Sequence, residues 1–191
     1  MKTAHLRRTA WFPLVLLWTC PDRASGVINH FTEFAQNCGV TAVVTSARVF
    51  SQNDENRWGE YPNAKQLPKN AERHETAYVW AKPDSPVLIG VLDAGEDFAR
   101  KTYYCFGASG KLSSLEHEVR TAQGWSFAEH RDLYSDGKET IKSHFFNTED
   151  RKEIPRPPGA SDIRAAMTVK IYRKLQDLPF FLLLTRRPKS K

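Results

Sequence analysis

The chain has few cysteines, three in all, and none of them form a Cys-x-x-Cys pair, so neither a thioredoxin-like redox centre nor a zinc finger is supported. It has no Gly-x-Ser-x-Gly elbow, no Walker-type loop and no Gly-x-Gly-x-x-Gly turn. This removes the common frameworks for serine hydrolysis and for cradling nucleotide phosphates. Arginine-rich tracts and zinc knuckles are absent, and with them the usual sequence marks of RNA or DNA binding. No apolar run approaches the ~20 residues that a bilayer-spanning helix needs. No motif requires a cofactor.

What is present suffices for a folded body. The 191 residues are 40% hydrophobic and 12% aromatic, enough for the core of one domain. The net charge of +6 is unevenly spread. Residues 1–76 carry nine Lys/Arg against seven Asp/Glu, residues 77–146 eight against ten, and residues 147–191 eleven against five. The central region is slightly acidic, which argues against a nucleic-acid partner.

Lys2, Arg7 and Arg8 precede the short apolar run Ala10 to Trp18, the pattern of an export signal over residues 1–24. The expected address is periplasmic or secreted. An alternative is a lipid anchor at Cys20, because Leu17-Trp18-Thr19-Cys20 resembles a lipoprotein box, although Trp18 and Thr19 stand where that box has small residues. The other alternative is a buried N-terminal helix or strand. Removing the signal leaves Cys38 and Cys105, either a disulfide pair in an oxidising compartment or two buried thiols.

Residues 25–191 are expected to form a single α+β domain. Val27, Ile28, Phe31, Phe34, Ala35 and Cys38 recur at helical spacing before Gly39. Residues 40–50 are rich in Val and Thr, as a first strand would be, and residues 51–75 read as a long polar loop whose Trp58 and Tyr61 could stack on a ligand. Strand-like runs follow at 77–82, 87–93, 98–106, 111–121, 125–133 and 138–146, separated by breaks short enough for hairpins. The expectation is an antiparallel meander of about six strands with an N-terminal and a C-terminal helix on one face. The C-terminal helix would start at Ser161 and carry Ile163, Met167, Ile171 and Leu175 until Pro179 stops it. Phe180 to Leu184 reads as a closing strand or a plug, and residues 185–191 as a basic tail.

Turn lengths set a register. A three-residue turn at Ala122 to Gly124 puts His117 opposite Glu129, and a two-residue turn at Asp136-Gly137 would put Glu129 opposite His144. The row His117, Glu129, His144 would share the apolar face with Leu115, Val119, Trp125, Phe127 and Phe146, while Glu116, Glu118, His130 and Asp132 make the wet face. Two imidazoles and a carboxylate are a usual metal-ligand or acid/base set. The same row would serve equally as a hydrogen-bonded cross-strand ladder at the border of the core.

Tyr103 to Phe146, with its degenerate Tyr-x-x-x-x-Gly-Lys unit and alternating polar and apolar residues, resembles the hairpin repeats of uncharacterised exported bacterial proteins. The resemblance implies a hairpin fold and brings no activity or catalytic residue to transfer. Two functions remain open on the sequence. One is an exported non-enzymatic protein that binds a protein partner or an apolar ligand in a cleft between sheet and helix. The other is a metal-dependent or acid/base hydrolase using His117, Glu129 and His144.

Overall fold

The computed structural model describes residues 25–40, 47–71, 74–81, 85–94 and 97–186, with the side chains of 25–30 left aside. The proposed signal and Cys20 lie outside the described residues. One helix, α1 (Ser25–Asn37), precedes nine strands: β1 (Arg48–Gln52), β2 (Trp58–Tyr61), β3 (Thr76–Trp80), β4 (Val87–Ala94), β5 (Phe98–Phe106), β6 (Leu112–Thr121), β7 (Trp125–Leu133), β8 (Glu139–Asn147) and β9 (Glu153–Ile154). Two single-turn helices, α2 (Arg164–Met167) and α3 (Phe181–Leu184), close the chain. All strands join one antiparallel sheet in the order β2-β1-β3-β4-β5-β6-β7-β8-β9, a meander in which only β2 steps outside its predecessor.

The six central strands fall where alternation places them. Three more extend the sheet. The first strand expected over residues 40–50 is present from Arg48 as β1, residues 41–46 lying outside the described residues. The segment expected to be one polar loop, residues 51–75, holds the end of β1, all of β2 and a 3-10 turn at Ala64–Gln66, so few apolar residues did not preclude pairing at the sheet's edge. The short β9 adds the last strand, pairing with β8 at Phe145 and Phe146.

Side-chain alternation gives the sheet two apolar faces, each with its own cover. On one, Phe31, Phe34 and Ala35 of α1 and Cys38 just after it pack on Trp80, Leu88, Tyr103 and Cys105. The helix ends at Gly39, where the Val40 N–H reaches the Ala35 carbonyl and the Gly39 N–H that of Gln36, the paired bonds of a Schellman cap. Cys38 and Cys105 are joined by a disulfide with Cα atoms 5.7 Å apart, fastening α1 to β5. Gly90 permits close packing beneath this helix. A Cβ there would meet the Tyr103 ring at 3.0 Å, so the bare backbone lets that ring lie against β4.

The opposite face is covered by the C-terminal chain, so the two helical segments lie on different faces, contrary to the expectation of one. The long C-terminal helix does not form. After α2 the chain runs extended, because its backbone finds partners on the sheet: Tyr104 donates through its hydroxyl to the Lys170 carbonyl, Leu112 N–H to Arg173, and Leu175 N–H to Gly110. The β-branched and aromatic run Thr168, Val169, Ile171, Tyr172 suits that conformation, and tertiary bonding overrides the four-residue period. Val169, Leu178 and Phe180 complete a core with Phe50, Val79, Ile89, Tyr104, Phe106 and Leu115. Phe180 is a plug rather than a strand residue. Its ring stacks on Phe50 at 5.1 Å and meets Trp58 at 4.7 Å, while Arg48 donates to the carbonyls of Leu183 and Leu184 at the end of α3. Val119, Trp125 and Phe127 form the rest of this face with Ala160 and Ala166.

Candidate functional site

The row expected from turn lengths is half formed. His117 does face Glu129. Glu129, however, faces Ser143, and His144 faces Ala128 on the other side of the sheet. The cause is the β7–β8 turn, which is one residue longer than assumed. Tyr134 N–H donates to Lys138 O and Gly137 N–H to Tyr134 O, leaving Ser135, Asp136 and Gly137 as the loop, with Gly137 at φ +86°. A slip of one residue inverts every side chain of β8, so Phe145 joins the apolar face and Phe146 leaves it.

The three side chains therefore do not meet. His117 is buried beneath the C-terminal chain. Its Nε2 lies 3.1 Å from the Ala166 carbonyl, which can only accept, so Nε2 carries the proton and Nδ1 accepts from the Thr102 hydroxyl at 2.9 Å. Burial, more than Arg100 or Arg131, pulls its pKa below the ordinary value, outweighing the Ala166 bond and Glu129, which act the other way. Glu129 is engaged by Arg131 at 2.6 Å rather than by a histidine. His144 sits at the surface with Glu153 at 2.8 Å. Among the described residues no cluster of three His, Cys, Asp or Glu side chains could hold a metal ion. Trp58 is not a free stacking platform. It packs on Phe180, and its Nε1 has no partner among the described residues. Tyr61 lies in β2 opposite Val49.

Two concavities open among the described residues: one of about 130 Å³ on the face of the C-terminal chain, bounded by Arg100, Tyr104, His117 and Tyr172, and a roomier one on the wet face. The apolar contacts of α1 fall on β3 to β5, with Phe34 also reaching the His130 ring of β7, and a trough of about 200 Å³ lies beside the helix over β5 to β8. Its near wall is Phe31 against Tyr103, ring centroids 4.9 Å apart. Its far wall is Phe146, with the Arg151 guanidinium 5.2 Å over the ring and His144 6.1 Å away. Between them Ala128 stands in a cross-strand row with Glu118 and His144, and this one small side chain among large ones makes the depression. His117 and Glu129 also line it, although their side chains leave from the opposite face.

The charges around the trough are mostly matched. Arg151 pairs with Glu118 at 2.8 Å, and His130 with Asp132 at 3.1 Å, its ring edge-on to Phe34. Lys142 lines the mouth with no ion-pair partner among the described residues. Burial, with Glu118 and Glu116 nearby, pushes the Tyr103 phenol far above its ordinary pKa, so it stays protonated. Sequence reasoning passed over this site because polar alternation on an antiparallel sheet reads as plain solvent exposure. The available signal was Ala128, a small residue set among bulky cross-strand neighbours. Among the described residues no helix is long and apolar enough to cross a membrane. No family model, curated protein or solved structure matches this chain.

Proposed function

We propose that the protein is an exported, non-enzymatic binding protein, and that the trough between α1 and the β5–β8 half of the sheet holds a small, largely apolar molecule. The observation that carries this reading is the trough itself, with Phe31 and Tyr103 on one side, Phe146 on the other and Ala128 between. Aromatic walls around an apolar floor are a usual make-up of a small-molecule site, and here the charged side chains at the margin, such as Arg151 with Glu118, are largely paired with one another. Lys142 at the rim favours a ligand bearing an anionic or hydrogen-bond-accepting group. Export is supported by Lys2, Arg7 and Arg8 ahead of the short apolar run, and by the Cys38–Cys105 disulfide, which suits an oxidising compartment.

The test is titration with 1-anilinonaphthalene-8-sulfonate, an aromatic anion, comparing the natural protein with Ala128→Trp. Saturable binding of one probe, weakened at least about tenfold by the filled trough, is expected. Binding that is absent, or equal in the two proteins, overturns the reading.

A further inference from the structure

The outer edge of β8 is open over most of its length. Its hydrogen-bond phase is set by bonds at both ends: Tyr134 N–H to Lys138 O and Thr148 N–H to Gly124 O turn the even-numbered residues toward β7, and Asn147 N–H to Lys152 O turns the odd-numbered ones away. Pairing with β9 ends at Phe145. The N–H and C=O groups of Glu139, Ile141 and Ser143 thus point outward with no backbone partner among the described residues. Ile141 and Tyr134 are two of the three large apolar side chains exposed among the described residues. Ile141 lies on this edge, and Tyr134, at the β7 end of the hairpin, accepts from the Thr140 hydroxyl of β8.

We propose that this edge pairs with the same edge of a second copy of the chain, antiparallel, about a two-fold axis through Ile141 perpendicular to the sheet. Such an axis keeps each face of the sheet on its own side, so residues opposite each other share a face and the axis must fall on a residue. The axis can fall on an odd residue, at a hydrogen-bonded pair, or on an even one, at a non-hydrogen-bonded pair, so Glu139 to Ser143 are all possible centres, but a centre on Glu139, Thr140, Lys142 or Ser143 leaves outward groups unused. Only Ile141 uses every free group: it exchanges both bonds with the partner's Ile141, and Glu139 exchanges both with the partner's Ser143. The side chains agree with that register. The two isoleucines meet, and Lys142 falls opposite the partner's Thr140 instead of opposite another lysine. A lysine on an edge strand ordinarily blocks pairing, and this register is one that it tolerates. A second copy fits better than an unrelated extended peptide, because the free backbone groups and their side chains are complementary to themselves. The joined sheet would carry the two troughs on the same side, with Lys142 between them.

The test is sedimentation equilibrium of the full chain, with circular dichroism to confirm folding. Natural protein should show a monomer–dimer equilibrium. Ile141→Lys and Ile141→Glu should each be monomeric, since like charges would meet on the axis, and an equimolar mixture of the two should dimerise again. Ile141→Pro, which removes the central donors and no bond to β7, should also be monomeric. Natural protein that stays monomeric up to ~1 mM overturns the proposal. So does a dimer that persists in all three variants, or a charge-swapped mixture that remains monomeric.

Discussion

His117 illustrates how burial converts an imidazole from a reactive group into a structural one. It is 1% exposed and neutral, donating to Ala166 and accepting from Thr102, with Arg100, Glu129 and Arg131 the charged groups around it. Because its folded pKa lies below the unfolded value of about 6.5, the unfolded chain takes up a proton first as pH falls. Stability should therefore be full above about pH 6.5 and decline below it, by at most about 1.4 kcal/mol per pH unit from this one group. Denaturant melts between about pH 7.5 and pH 5 should show the decline, and His117→Gln should flatten it. The substitution should itself cost about 1 to 3 kcal/mol at neutral pH if it leaves Thr102 or Ala166 unpaired. A slope unchanged by the substitution would show that other groups carry the acid sensitivity.

At the scale of elements, α1 depends on the disulfide more than any strand does. Its described contacts are with one patch of the sheet, whereas each inner strand is paired on both sides. Cys38 and Cys105 close a loop with a sequence separation of 67, for which loop-closure entropy predicts a loss of about 4 kcal/mol on opening. In a Cys38→Ala, Cys105→Ala variant, amide hydrogen exchange should rise first in α1, before the strands, and the trough should lose its Phe31 wall. Uniform loss of protection in helix and sheet together would mean that α1 is integral to the cooperative unit. The C-terminal chain is anchored differently, through Tyr104, Leu112 and Gly110 on the sheet and by Phe180 in the core, so it should hold after reduction.

For the whole molecule, the meander order means that almost every strand contact is made between neighbours in sequence, with the covers added on either face. Pairing between sequence neighbours keeps the loops that folding must close short. If the proposed export signal is removed, protein recovered from its native host should have an intact mass that lacks roughly the first two dozen residues, and it should contain no free thiol at Cys38 or Cys105. A full-length cytosolic product with its Met1 terminus would refute the export reading.

Local rules were enough to read the central strands, α1 with its glycine stop, and the pairing of His117 with Glu129, because alternation and a three-residue turn are written in adjacent residues. They also named Val119, Trp125 and Phe127 as core. Local rules could not choose between two and three residues for the loop before Lys138, and that single residue sent His144 and Phe146 to the opposite face. Nor could they foresee that residues 168–175 would exchange helical bonds for bonds to β5, β6 and their connecting turn, since those partners lie some sixty residues away in the chain. The same limit explains the trough. Whether polar alternation meets open water or a concave wall depends on how far a separate helix reaches across the sheet, which tertiary packing alone decides.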